Sequence, residues 1–220
     1  MKLPRGPYKK TLLLPLRNSQ KMKTYLFTHP EKITQQQLEQ ELLPQLPEWR
    51  REQALKFKFL SGQVLCAKAF LLLKEGLEKD FGISGPITFQ YLEHEKPVLK
   101  EHPNVHFNLS HCKNGVFCVI DDKNEVGCDI EIVDRGISDA LLRRCCNDVE
   151  LSKIKNAVDS NIEFIKLWTV KEAVLKCIGV GLVDDLPDLL TSELLGSVEV
   201  CTRVYEDLGF VCSTCKAKAK

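Results

Sequence analysis

NVHFNLSHCKNGVFCVIDDKNEVGCDIEIV, residues 104–133, carries the pattern that decides the fold. Val105, Phe107 and Leu109 alternate with His106, Asn108 and Ser110, the period-two pattern of a half-buried strand. Asn114-Gly115 is a strong hairpin turn, since a tight two-residue turn needs positive φ at both positions. VFCVI (116–120) then reads as the returning strand, and Asp121 to Asn124 turns the chain into EVGCDIEIV (125–133). Three strands with short connections predict an antiparallel meander.

Upstream, residues 10–16 and 22–28 read as short strands broken by Pro15 and Pro30. After Pro47, EWRREQALKFKFLSGQVLCAKAFLLLKEGL places Leu55, Phe59, Val64, Leu65, Phe70, Leu71 and Leu72 on a helical stripe. Gly62 predicts a break there, giving two helices, and Gly82, Gly85 and Pro86 end the region. ITFQYLE (87–93) reads as a strand followed by a turn at 94–97. Residues 138–178 are expected to be mostly helical, ending at Gly179 and Gly181. VEVCTRVYE and GFVCSTC predict a final hairpin, with Cys212 to Cys215 in a fraying terminal strand. Strands, then helices, then strands argue for an α+β fold and against a doubly wound parallel sheet.

The composition fits a globular protein. The 220 residues are 44% hydrophobic and 28% charged, which excludes disordered, collagenous and coiled-coil classes. No apolar run approaches the ~20 residues of a spanning helix. MKLPRGPYKK has no apolar segment after its charges, so it does not read as a secretory signal, and a cytoplasmic protein is expected. Ten cysteines in that setting are read as free, mostly buried thiols. Cys212 and Cys215 form the one CxxC and lack a second ligand pair for zinc. The net charge of +1 hides an asymmetry. Residues 1–60 are strongly basic and residues 121–165 acidic, as for a surface that attracts an anion beside one that attracts a cation.

Three constellations can carry chemistry. Asp129 and Glu131 share one strand face, and two neighbouring carboxylates suit Mg²⁺ or are ordinary exposed acids. In FIKLWTVKEAVLKCI (164–178), an apolar arc covers most of a helix. Glu172 and Lys176 stand one turn apart on its polar strip beside Thr169, with Trp168 at the edge. They form either a routine i,i+4 pair or part of a site. Lys171 falls inside the arc, as a snorkelling side chain or a ligand-neutralised charge. Ser110-His111 closes a strand and reads as a polar turn or as a donor pair for phosphate oxygens.

Together, FNLSHC (107–112), VGCDIE (126–131) and LWTVKEAVLKCIGVGL (167–182) resemble the motifs of the Sfp-type 4′-phosphopantetheinyl transferases, with Lys96-Pro97 resembling an upstream element. The resemblance implies transfer of phosphopantetheine from coenzyme A to a serine of an apo acyl or peptidyl carrier protein, releasing 3′,5′-ADP. It implies two similar α+β halves related by a pseudo-twofold axis, with the active site in the cleft between them. The coenzyme A-binding half is expected at 1–123 and the Mg²⁺-binding catalytic half at 124–220.

By matching positions, Asp129, Glu131 and Glu172 would bind Mg²⁺, and Glu172 would also serve as general base. Lys176 would stabilise the pyrophosphate, and Lys171 would bind phosphate or help move a proton. Ser110, His111, Lys96 and Pro97 would contact coenzyme A. Arg50, Arg51, Lys56 and Lys58 are the candidates for its 3′-phosphate. Cys112 and Glu95 replace the family's usual serine and glycine, which bears on how the adenine is seated. A cytoplasmic monomer is expected, with no nucleic-acid or membrane partner. The alternatives are a catalytically impaired coenzyme A or carrier-binding module, and an unrelated Mg²⁺-dependent phosphohydrolase.

Overall fold

The computed structural model describes residues 12–13, 22–92, 96–134, 136–181 and 186–219. The elements run β1 (Leu12–Leu13), β2 (Lys23–Thr28), α1 (Gln35–Gln37), α2 (Glu48–Leu55), α3 (Leu60–Asp80), β3 (Phe89–Tyr91), β4 (Pro97–Leu99), β5 (His106–Cys112), β6 (Gly115–Asp121) and β7 (Val126–Ile132). They continue with α4 (Asp139–Cys145), α5 (Asp148–Lys155), α6 (Ser160–Ile178), α7 (Ser192–Ser197), β8 (Val198–Tyr205) and β9 (Phe210–Ala217). The architecture is mixed α+β, as the element order predicts. Of the strand expected at residues 10–16, only β1 lies within the described residues.

The meander is where sequence and structure part. β5 and β6 form the expected antiparallel hairpin, but its turn residues are Lys113 and Asn114 rather than Asn114 and Gly115, because Gly115 already pairs with Cys112 as the first residue of β6. The first sheet has the order β1-β2-β6-β5. β7 is not its next strand. Both edges of β6 are already taken, by β2 and by β5. The Asp121 carboxylate accepts from the amides of Lys123 and Asn124 at 2.8 and 2.9 Å, turning the chain out of the sheet. β7 instead opens a second antiparallel sheet of order β7-β9-β8. That pairing also corrects the expectation for the C-terminal strand. β9 is flanked on both sides, and Cys212 and Cys215 are buried rather than fraying. All ten cysteines are free thiols; Cys201 is exposed, and Cys66 and Cys112 are partly so.

Alternating strand faces sort the core. Tyr25, Phe107, Val116, Cys118 and Ile120 meet Leu65, Ala69, Leu72, Leu73 and Leu77 of α3 on one face of the first sheet. Leu26, Phe117 and Val119 on the other face meet Val126, Cys128, Ile130, Phe210 and Cys212 of the second sheet. The outer face of the second sheet receives α6 through Ala173, Val174 and Cys177 against Val198 and Cys215. Each fully buried aliphatic side chain contributes about 2 kcal/mol from apolar transfer. Both sheets are therefore held from two sides.

The helical region after Pro47 does break in two, although at residues 56–59 rather than at Gly62. Phe59 adopts an extended backbone (φ −107°, ψ 144°) and caps α3. Gly62 lies in the first turn of that helix, under the Phe57 ring, where a Cβ would sit 2.9 Å from Phe57 Cδ1. The glycine therefore admits the ring rather than ending the helix. α6 starts where Asp159 accepts a bond from the Ile162 amide and stops at Gly179, whose φ of 74° is left-handed.

Candidate active site

The site begins with a close approach of backbones. A Cβ on Gly127 would lie 2.1 Å from the Ala173 carbonyl oxygen and 2.4 Å from the Cys177 nitrogen, so β7 and α6 touch there without an intervening side chain. Asp129 and Glu131 follow on the same strand face. Trp168, Glu172 and Lys176 are spaced four apart and share one helix face. Lys176 Nζ donates to Asp129 Oδ1 at 2.7 Å and to Ser110 Oγ at 3.2 Å, and Ser110 Oγ donates to the same Asp129 oxygen at 2.7 Å. Glu172 lies 3.7 Å from Lys176 Nζ, and Trp168 Nε1 donates to Glu131 Oε1 at 3.2 Å.

Ser110 and His111 leave β5 in opposite directions. Ser110 meets the second sheet, whereas His111 faces α2 and α3. There it lines an open cavity of about 470 Å³ with Arg50, Gln53, Phe57, Leu65, Cys66, Cys112 and Lys113. Arg50 donates to Gln53 Oε1 at 2.7 Å and to the Cys66 carbonyl at 3.1 Å, while its Nε is buried with no hydrogen-bond partner. Burial in the cavity wall, followed by the charges of Lys176 and Arg50, lowers the His111 pKa. Ser110, bonded to Asp129 and Lys176, directly precedes His111 on β5, so the Asp129–Lys176 cluster lies next to the basic cavity. Burial opposes the charge on Lys176, but the adjacent Asp129 carboxylate outweighs it and raises the lysine pKa.

Residues 125–207 match the family model described as the 4′-phosphopantetheinyl transferase superfamily. A 4′-phosphopantetheinyl transferase of Bacillus subtilis is 31% identical over 115 residues, 51% of this chain and 50% of its own length. The 4′-phosphopantetheinyl transferase psf-1 of Bacillus pumilus is 30% identical over 155 residues, 69% of this chain and 65% of its own. The transferase HetI of Nostoc is 31% identical over 105 residues, 44% of each chain. The chain is thus similar to the 4′-phosphopantetheinyl transferase superfamily over its C-terminal half. It spans 44% to 65% of the length of these relatives.

The motif residues are divided among several places. Asp129, Glu131, Glu172, Lys176 and Ser110 are brought together, with His111 and Arg50 in the neighbouring cavity. Lys171 is not in this group. Its side chain points away from β7 and is fully buried among main-chain carbonyls and Glu150. Arg51 donates to the carbonyls of Leu43 and Leu46, closing the turn before α2. Lys56 is exposed at the end of α2, and Lys58 is exposed with its ammonium 5.6 Å from the Phe59 ring centre. Neither lysine lines the cavity.

Lys96 and Pro97 also lie outside the cluster. Lys96 Nζ donates to Glu125 Oε2 at 2.6 Å and to the Cys177 carbonyl at 2.8 Å, where it ties down the end of α6. Pro97 pairs with Tyr91 in the small β3–β4 sheet. Glu125 also lies 2.9 Å from His106 Nδ1. That hydrogen bond, followed by the Lys96 interaction, outweighs burial and lowers the Glu125 pKa to about 2. Lys113 and Gln53 were not anticipated from the sequence. Lys113 is one of the two turn residues between β5 and β6, a position that carries no sequence signal of a site.

The donor chemistry fits a hard divalent cation. Asp129 is 4% exposed, and its Oδ2 is buried without a hydrogen-bond partner, while Oδ1 is shared by Ser110 and Lys176. A carboxylate oxygen left in this state is suited to a cation that brings its own water and phosphate ligands. Among the described residues, no three His, Cys, Asp or Glu side chains already enclose a metal position. Protein ligands alone therefore do not form a cage here. Water and the phosphate oxygens of a bound ligand would complete one.

Proposed function

We propose that this protein transfers the 4′-phosphopantetheine group from coenzyme A to a serine hydroxyl of an apo acyl or peptidyl carrier protein, releasing 3′,5′-ADP. The observation that carries the reading is the Asp129–Ser110–Lys176–Glu172 cluster beside the cavity of Arg50, His111 and Lys113, in a chain whose residues 125–207 match the transferase family model. Arg50, His111 and Lys113 meet the nucleotide phosphates. Phe57, Leu65 and Ala69 give the same cavity an apolar wall suited to a base.

Asp129, Glu131 and Glu172 hold Mg²⁺. The bound ion supplies charge neutralisation on the pyrophosphate. Lys176, already charged beside Asp129, turns to the pyrophosphate oxygens and stabilises the leaving phosphate. Glu172 accepts the proton of the carrier serine, directly or through a water, as the serine oxygen bonds to the pantetheine-side phosphorus. The bond from that phosphorus to the oxygen of 3′,5′-ADP breaks, and 3′,5′-ADP leaves. Ser110 keeps Asp129 and Lys176 in register through its two hydrogen bonds.

In this reading, α3 on the first sheet and α6 on the second are the corresponding parts of two pseudo-twofold halves, 1–123 and 124–220, with coenzyme A between them. The enzyme acts as a cytoplasmic monomer. Chromatographic assay of 3′,5′-ADP tests the reaction class. Release should require coenzyme A, Mg²⁺ and an apo carrier together. Nucleotide hydrolysis without a carrier would mark a phosphohydrolase, and coenzyme A binding without turnover would mark a binding module.

A further inference from the structure

Lys171 is one of the largest fully buried side chains in the protein. Its ammonium has four oxygens within reach: the Cys145 carbonyl at 2.7 Å, Glu150 Oε2 at 2.7 Å, the Leu186 carbonyl at 2.8 Å and the Pro187 carbonyl at 3.2 Å. These acceptors come from the end of α4, the first turn of α5 and the chain beyond α6. The same Glu150 oxygen accepts the Asn147 amide in the capping box of α5, and Asn147 Nδ2 donates to the Pro187 carbonyl. An ammonium has three donors and no acceptor, so this cage uses its full capacity. No donor is left for a substrate phosphate, and the group is sealed from solvent.

We infer that Lys171 is a positioning residue. It clamps the α4–α5 corner and residues 186–187 onto α6, and so fixes the height and rotation at which Trp168 and Glu172 face β7. The inference rests on the transferase reading for Glu172, but the contacts themselves do not. Lys171 lies three residues after Trp168 and one before Glu172, so a helix that rolls away from the corner carries both from the strand. The Trp168–Glu131 hydrogen bond is the nearest reporter of that roll.

The test uses Lys171→Met, which keeps the stem and removes the donors, and Glu150→Gln, which keeps the lysine and weakens the cage. Trp49→Phe is included so that Trp168 is the only tryptophan. The Lys171→Met enzyme, assayed at a temperature where it is folded, should bind coenzyme A within about threefold of the parent. Its Mg²⁺ half-saturation should rise about tenfold or more, kcat should fall, and Trp168 emission should shift to the red. Glu150→Gln should move the same quantities in the same direction by a smaller factor, and it decides the matter if Lys171→Met does not fold.

A rise in the coenzyme A dissociation constant with Mg²⁺ dependence and Trp168 emission unchanged would make Lys171 a phosphate ligand and overturn the proposal. Lowered stability with kcat, Mg²⁺ dependence and emission all unchanged would also overturn it. If the unmutated enzyme modifies no carrier, the transferase reading has failed. Trp168 emission and a titration with Mg²⁺ alone then still decide the role of Lys171.

Discussion

Replacing Gly127 by alanine tests the geometry on which the whole site depends. The new methyl would lie 2.1 Å from the Ala173 carbonyl oxygen and 2.4 Å from the Cys177 nitrogen, where ordinary contact begins near 3.4 Å. The obstructing atoms are helix backbone, so no side chain can rotate away. α6 must back off from β7 by more than an ångström. Overpacking of this kind costs about 1–3 kcal/mol. The same shift stretches the 2.7 Å Lys176–Asp129 contact and the 3.2 Å Trp168–Glu131 bond beyond hydrogen-bonding length. A misplacement of that size at a reacting centre costs about a hundredfold in rate.

Urea denaturation at neutral pH gives the stability change, and carrier modification gives the rate. Gly136→Ala is the control, because a Cβ there meets nothing within 4 Å. The expected result is a lower midpoint and a loss of about a hundredfold in turnover for Gly127→Ala only. A Gly127→Ala enzyme with the parent's midpoint and turnover would refute the close approach and the site built on it.

Two other perturbations address separate parts of the account. Lys176→Ala removes the charge shared by Asp129, Ser110 and the proposed pyrophosphate, so kcat/KM should fall about a hundredfold or more while the protein stays folded; parent-like kinetics would contradict its role. Glu125 has a folded-state pKa of about 2 against an ordinary 4.5, owing first to its hydrogen bond with His106 and then to Lys96. A depressed carboxylate contributes its stabilisation above pH 4.5 and loses it as the pH falls towards about 2. The stability difference between the parent and Glu125→Gln should therefore shrink across that window, and a constant difference would rule out the Lys96–Glu125–His106 tie. The effect will be modest, since Glu125 is partly exposed and screened.

Local periodicity made most of the elements legible. The alternation of residues 105–110 gave β5 its faces, and the Asp129–Glu131 spacing placed both carboxylates on the helix-facing side of β7. The same alternation separates Ser110 from His111, a consequence that the motif, taken as one unit, concealed. Sheet membership was not legible. It depends on which edges of β6 are free, and β2, nearly a hundred residues earlier, decides that.

Lys171 stood out in the sequence as a charge inside an apolar arc. Its partners are oxygens of Cys145, Glu150, Leu186 and Pro187, and main-chain carbonyls leave no side-chain signature. The basic residues of the first half posed a similar problem. Arg50 and Arg51 are neighbours on one helix and turn in different directions, one into the cavity and the other onto the Leu43 and Leu46 carbonyls. Composition predicted the charge of that region without saying which of its members would meet an anion.

The central claim is covalent transfer, and the intact mass of a carrier protein measures it directly. An apo acyl or peptidyl carrier incubated with the enzyme, coenzyme A and Mg²⁺ should gain one phosphopantetheine, located on its serine by peptide fragmentation. The gain should vanish without Mg²⁺ and nearly vanish with Glu172→Gln. Several apo carriers remaining at their starting mass, under conditions where a known transferase converts them, would contradict the account.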